Sequence, residues 1–232
     1  PLACEIERSN ALKDGVVVDY LKACQTVKKL KEQAEDKLGV ELTECVIAMP
    51  PGTERSDSRT HSYVASSSGL EVVGVIDEPT AANILLGLVN GAVVDIGGGT
   101  TGISLFQQGR VVKVADQPTG GTHLTLVLAG NRHMDFDTAE GLKLDPAHQA
   151  EVLHITTPVL EKMSQIILDE LRGFDVTELC LLGGTCCLTN MEQVIAKYTG
   201  LPVFKPANPL LITPIGIALA QGSARCQDLN TY

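Results

Sequence analysis

Val93-Val94-Asp95-Ile96-Gly97-Gly98-Gly99-Thr100-Thr101-Gly102 sets one carboxylate, three consecutive glycines and two hydroxyls at the end of an apolar run. Ala92 to Ile96 predicts a buried strand, Gly97-Gly98-Gly99 a turn, and Gly102 to Phe106 a second strand. Gln108-Gly109 then turns the chain into a third strand, Val111 to Ala115, so the segment reads as a meander. Glycines let backbone N–H groups approach phosphate oxygens with no Cβ atom in the way. The hydroxyls of Thr100 and Thr101 can add hydrogen bonds, and Asp95 can hold a hydrated magnesium ion. No Gly-Lys-Ser/Thr follows, which excludes a Walker A loop, and the next element is a strand rather than a helix, which excludes the dinucleotide-binding spacing. Taken alone, the run leaves open a tight hairpin whose glycines serve only the turn, with Thr101 an ordinary strand residue.

Two further glycine loops flank this one. Leu179 to Leu182 predicts a strand that ends in Gly183-Gly184-Thr185, and an ordinary strand-to-helix turn is the alternative reading there. Gly120-Gly121 precedes a helix beginning at Gly121, whose N-terminus can face an anion. On the N-terminal side, apolar residues recur every three or four positions from Val17 through Leu21, Cys24, Val27, Leu30, Ala34 and Leu38, one face of a helix that Gly39 ends. Cys45 to Met49, closed by Pro50-Pro51-Gly52, and Leu70 to Ile76 predict strands separated by a weak helix over about 56–68. Asp77-Glu78-Pro79-Thr80 opens another helix, with proline in the first turn where its missing N–H costs nothing. Beyond the second loop, Asp135 caps a short helix, Val152 to Leu171 has helical spacing with a kink or break expected at Pro158, and Asn190 to Tyr198 is helical. Val203-Phe204 is a strand, and a last helix covers Pro214 to Gln221. Strands and helices alternate, so the class is α/β.

Composition narrows the function. The 232 residues are 44% apolar and 20% charged, the balance of a globular domain, and the net charge of −10 repels a nucleic-acid backbone. The one dense basic cluster, Lys28, Lys29 and Lys31, sits on the solvated face of the first helix. No apolar run approaches the roughly 20 residues of a membrane span. Seven cysteines without C-x-x-C spacing point to reduced thiols and a cytoplasmic protein; Cys4, Cys24 and Cys45 read as small core residues. The five histidines show no metal-ligand spacing.

Together these segments resemble the actin-like ATPase superfamily. Asp95 to Thr101 is similar to the second phosphate motif of actins, sugar kinases, DnaK-type chaperones and bacterial cell-shape filaments. Asp77-Glu78-Pro79-Thr80-Ala81-Ala82 looks like the first connecting helix of the chaperones. Leu182-Gly183-Gly184-Thr185 resembles the adenosine motif, and Pro209 through Gly222 the second connecting helix. The four occur in the family's order between about residues 45 and 222. Within that superfamily, Pro50-Pro51-Gly52-Thr53, Val93 to Ile103, Pro118-Thr119-Gly120-Gly121-Thr122-His123 and Leu128-Ala129-Gly130-Asn131-Arg132 resemble the EutJ proteins of ethanolamine utilisation. The family's opening aspartate-x-glycine-threonine/serine phosphate motif is not found in this sequence, which matches the fold from its third strand onward; the first strands are expected to be missing.

What the resemblance implies is an actin-like, ribonuclease-H-like fold of two lobes around a nucleotide cleft, lobe I being 1–88 with a return segment 209–232 and lobe II 89–208. It implies ATP and Mg2+ as cofactors. Asp95 would serve the metal and the chemistry, and Glu78 would orient or help deprotonate the attacking water, although a carboxylate there can also simply cap its helix. Gly97, Gly98, Gly99, Thr100, Thr101, Gly120 and Gly121 would contact phosphate, and Gly183, Gly184 and Thr185 the adenosine. The implied role is a slow ATPase acting as a chaperone-like or reactivating factor, with a protein partner in the ethanolamine pathway, no nucleic acid and no membrane. A nucleotide-dependent filament and an inactive scaffold of the same fold are the rivals, and the oligomeric state is left open.

Overall fold

The structure, a computed structural model, describes residues 1–7, 9–13, 16–49 and 55–221. Pro50-Pro51-Gly52-Thr53, Gly222 and the tail that follows lie outside the described residues. The chain divides into two compact units, one made of Pro1–Leu86 and Thr213–Tyr232, the other of Gly87–Ile212.

In the first unit, a short antiparallel ribbon pairs β1 (Leu12–Lys13) with β2 (Val16–Val17). Helix α1 (Tyr20–Leu38) follows, capped at its start by Asp19, whose carboxylate accepts from the Lys22 N–H at 3.0 Å, and at its end by Gly39 in the left-handed region. The helix therefore begins three residues later than its apolar spacing predicts, because Val16 and Val17 pair as a strand instead. Its expected apolar stripe is only partly covered: Ala23 is buried, Cys24 and Val27 are half-buried against Ala11 and Val64, and Leu21 is exposed. Of the three lysines, Lys29 pairs with Glu7 at 2.7 Å and Lys31 with Glu35 at 3.2 Å. Cys4, expected in the core, is exposed.

Strands β3 (Glu44–Met49) and β4 (Glu71–Asp77) run parallel, joined by α2 (Arg55–Ser67). Helix α3 (Glu78–Leu86) leaves β4 directly, and α8 (Ile212–Leu219) crosses it. The crossing is close: a Cβ on Gly216 would strike the Ala81 carbonyl, so only glycine lets the two backbones meet. Ile76, Ala81 and Ala220 form the buried cluster around that contact.

The second unit carries a five-stranded sheet in the order β7-β6-β5-β8-β9. Here β5 is Gly91–Ile96, β6 Thr101–Gln107, β7 Arg110–Gln117, β8 Leu179–Leu182 and β9 Val203–Phe204. β5, β6 and β7 form the expected antiparallel meander, and β8 and β9 continue it in parallel. Burial follows position. β8 is buried throughout and β5 nearly so, whereas the edge strand β7 alternates between exposed and half-buried residues.

Against the sheet pack α4 (Gly121–Arg132), α5 (Phe136–Leu144), α6 (Gln149–Leu171) and α7 (Met191–Thr199), closing a core of Ile103, Leu105, Leu124, Leu128, Leu160 and Ile167. Pro158 neither ends nor interrupts α6. The buried face of Val152, Leu160, Met163, Ile167 and Leu171 outweighs the lost N–H, and the hydroxyls of Thr156 and Thr157 donate to carbonyls one turn back at 2.7 Å each.

Candidate functional site

Sheet register gathers three loops at one end of the second unit. β5 and β8 run parallel with Asp95 beside Leu182, so the loops that leave them emerge together. β6 pairs Thr101 with Ile96, and β7 pairs Gln117 with Thr101, which brings residues 118–121 to the same edge. The carboxyl ends of parallel strands are where open α/β sheets bind ligands.

The loops are laced together through backbone groups. Gly97 donates its N–H to the Thr100 carbonyl at 2.9 Å, closing the turn. The Gly97 carbonyl accepts from the Gly121 N–H at 2.9 Å and from the Thr185 hydroxyl at 2.8 Å. The Gly98 carbonyl accepts from the Thr122 N–H at 2.8 Å. Gly120 must be glycine, since a Cβ there would lie 2.7 Å from the Gly98 oxygen and 2.8 Å from the Gly97 oxygen. Its N–H donates to His123 Nδ1 at 3.2 Å, which requires a neutral imidazole.

These bonds change two expectations. The α4 N-terminus does not present free donors to an anion, because its first two N–H groups, on Gly121 and Thr122, already have the Gly97 and Gly98 carbonyls as acceptors. Gly120 and Gly121 hold the neighbouring loop in place. Thr101 is buried, and its hydroxyl donates to the Thr119 carbonyl at 2.5 Å, so that side chain is committed to joining β6 to the 118–121 loop. By contrast, the N–H groups of Gly98 and Gly99 make no hydrogen bond among the described residues, both glycines are exposed, and a Cβ on either would meet nothing within 4 Å.

Asp95 stands half-buried beside these loops at the end of β5. Burial pushes its carboxyl above the ordinary carboxylate range, and it forms no hydrogen bond or ion pair with any described residue. Its carboxylate rests over Gly183, where a Cβ would strike Asp95 Oδ1 and lie 2.5 Å from the Ile96 carbonyl oxygen. Gly183 also has φ 90° and ψ 165°, a region that side chains exclude. The neighbouring Cys186 is fully buried, and its thiol is driven upward by burial and then by the Asp95 charge.

A half-buried carboxylate that lacks a protein counter-charge fits a hydrated cation. No cluster of three or more His, Cys, Asp or Glu side chains suited to a metal is formed among the described residues, so a cation at Asp95 would keep most of its waters, which is magnesium's habit. The open N–H groups at Gly98 and Gly99 fit phosphate oxygens.

Beside the three loops lies a cavity of about 190 Å3 lined by Gly184, Thr185, Lys143, Gln149, Leu124 and Leu188 among others. Sequence reading missed Lys143. Its ammonium, on α5, pairs with Glu140 at 2.6 Å and donates to the Thr125 hydroxyl at 2.9 Å, and its side chain is only 11% exposed. Glu140 and Lys143 lie three apart, on one face of α5, and that i,i+3 acid–base spacing is the sequence signal from which the pair could have been read.

Glu78 belongs to the first unit, at the first turn of α3, and is exposed. At the start of that helix the Asp77 carboxylate accepts from the Thr80 N–H at 2.9 Å, and Glu78 follows as the acidic residue of the first turn.

Comparison with known proteins follows the same lines. The Hsp70 protein family profile matches residues 21–150, and the profile of cell division protein FtsA matches residues 92–221. The crystal structure of MreB5 of Spiroplasma citri bound to ADP superposes with a TM-score of 0.76 at 17% identity, covering 94% of this chain and 79% of that one, which bears on the fold alone. The fold is that of an actin-like ATPase, as the sequence expectation held. The ethanolamine utilization proteins EutJ of Salmonella typhimurium and Escherichia coli K12 are 39% and 38% identical to this chain over 230 residues, covering 99% of it and 80% and 81% of themselves. The crystal structure of ethanolamine utilization protein EutJ from Carboxydothermus hydrogenoformans matches with a TM-score of 0.85 and 43% identity over 91% of this chain and 78% of that one. The chain belongs to the EutJ family.

Proposed function

We propose that the protein binds ATP with magnesium at the loops that leave β5 and β8, hydrolyses it slowly, and serves ethanolamine catabolism as a chaperone-like or reactivating accessory protein. The observation that carries the reading is the convergence, at one end of one sheet, of an uncompensated carboxylate at Asp95 and two open backbone N–H groups at Gly98 and Gly99. In this reading Gly98, Gly99 and Thr100 receive the terminal phosphates, and Asp95 holds the metal's water shell. Magnesium, when bound, supplies charge neutralisation at the phosphates. The cavity beside Thr185 and Lys143 receives the nucleoside end, with Lys143 and Gln149 on its wall as polar partners. Glu78 takes the water-positioning role that family membership suggests.

Among the described residues no helix is long and apolar enough to cross a membrane. The family match supports a protein partner within the ethanolamine pathway.

Isothermal titration with Mg-ATP tests the binding. Saturable heat that shrinks when magnesium is chelated is expected, and no heat at millimolar ATP refutes the reading. ATP-dependent recovery of an inactivated ethanolamine-pathway enzyme tests the biological role. Recovery that is equal with and without ATP removes the chaperone-like part while leaving nucleotide binding standing.

A further inference from the structure

Thr185 stands at a junction. On one side it lines the cavity next to Lys143 and Gln149. On the other its hydroxyl donates 2.8 Å to the Gly97 carbonyl, a residue 88 positions away in sequence. Its side chain also lies so close to Gly121 that a Cβ on Gly121 would strike the Thr185 hydroxyl. Gly97 is held by three bonds: its N–H donates to the Thr100 carbonyl, and its carbonyl accepts from the Gly121 N–H and the Thr185 hydroxyl. Two of these are backbone bonds built into the fold. The third comes from a side chain that a cavity ligand can touch.

A threonine at a half-open site has more than one staggered rotamer, and only one places the hydroxyl on Gly97. A ligand that fills the cavity removes the alternatives by contact. It thereby strengthens the hold on Gly97 and orders the two N–H groups that follow it, on Gly98 and Gly99. Groups ordered in advance bind their ligand more tightly, and coupling of this kind is reciprocal.

We propose that Thr185 is a positioning residue that carries occupancy of the cavity to the 97–100 loop, so that a nucleoside in the cavity and a polyphosphate at the loop bind cooperatively. The inference rests on the nucleotide reading above and adds a regulation to it: the loop is set for phosphate only when the nucleoside end is seated. Free phosphate and free polyphosphate are thereby disfavoured as occupants, which protects a slow ATPase from product-like anions.

The test separates the two halves of the ligand. The affinity of magnesium tripolyphosphate is measured by titration calorimetry with and without saturating adenosine. The unmodified protein should bind tripolyphosphate about fivefold more tightly with adenosine present, the scale of one net hydrogen bond. Thr185→Val keeps the shape and deletes the donor, and should reduce that ratio to about one. Thr185→Ser restores the donor and should restore the coupling, which a purely structural role for the side chain does not produce.

Coupling that is absent from the unmodified protein while Mg-ATP still binds overturns this inference and leaves the nucleotide reading intact, as does coupling that survives in Thr185→Val. Failure of Mg-ATP itself to bind removes both. Should Thr185→Val fail to fold, amide hydrogen exchange of the unmodified protein decides. Adenosine alone should slow exchange across residues 97–100, and unchanged exchange there overturns the proposal.

Discussion

Replacing Gly183 by alanine adds one methyl group where both the backbone conformation and the neighbouring atoms oppose it. The backbone there has φ 90° and ψ 165°, which costs a side-chain-bearing residue about 1–3 kcal/mol. The new Cβ also lies 2.5 Å from the Ile96 oxygen and 2.9 Å from the Ile96 carbonyl carbon, while striking Asp95 Oδ1. The Ile96 backbone cannot give way easily, since Ile96 pairs with Thr101 in the central ladder, so an overpacking term of about 1–3 kcal/mol adds to the first. The sum is about 4 kcal/mol, or roughly 12–16 °C in melting temperature for a cooperative unit of this size.

Gly184→Ala is the matched control. Its Cβ would sit 3.7 Å from Leu210 Cδ1, an ordinary contact, and the cost should stay within about 0.5 kcal/mol. Thermal and denaturant unfolding of both variants, followed by circular dichroism, is the assay. A Gly183→Ala protein that melts within about 2 °C of its Gly184→Ala counterpart refutes the close packing of Gly183 on Ile96 and Asp95.

Three other outcomes follow from the site. Gly98→Ala should leave the melting temperature unchanged, because its Cβ meets nothing within 4 Å, yet weaken Mg-ATP about tenfold by blocking phosphate approach; unchanged affinity by titration calorimetry removes that loop from binding. Burial raises the Asp95 carboxyl, so the folded state holds its proton to higher pH than the unfolded chain does, and stability should fall as pH rises from the ordinary carboxylate range through the raised value. Asp95→Asn should lack that decrement in denaturant midpoints taken between about pH 4 and 8, and should lose the magnesium dependence of nucleotide binding. Glu78→Gln should cut single-turnover ATP hydrolysis about 100-fold with little change in affinity, and wild-type turnover in this variant removes Glu78 from the chemistry.

Local chemistry determined much of this protein before any fold was considered. The meander from Gly91 to Gln117, the aspartate at the end of its first strand, the glycine turns at 97–99 and 183–184, and Gly39 as the stop of α1 all depend on residues near one another in sequence. Apolar periodicity and turn residues report such features because the forces concerned act within a few residues. Even so, the start of α1 moved to Tyr20, and α6 ran on through Pro158 because its buried face outweighed one missing donor.

Tertiary structure alone decided which polar groups remain for a ligand. The sequence offers three glycine loops, but the Gly121 and Thr122 donors are taken by Gly97 and Gly98, and the Thr101 hydroxyl by Thr119. Among the described residues of these loops, the Gly98 and Gly99 N–H groups and the Asp95 carboxylate stay open, beside a cavity whose wall includes Lys143 from a helix that no glycine motif marks. At the start of α3, likewise, it is the Asp77 carboxylate that takes the Thr80 N–H. The reason is physical: a hydrogen bond between segments 24 or 88 residues apart depends on how closely two backbones approach, and that distance is set by packing rather than by either segment.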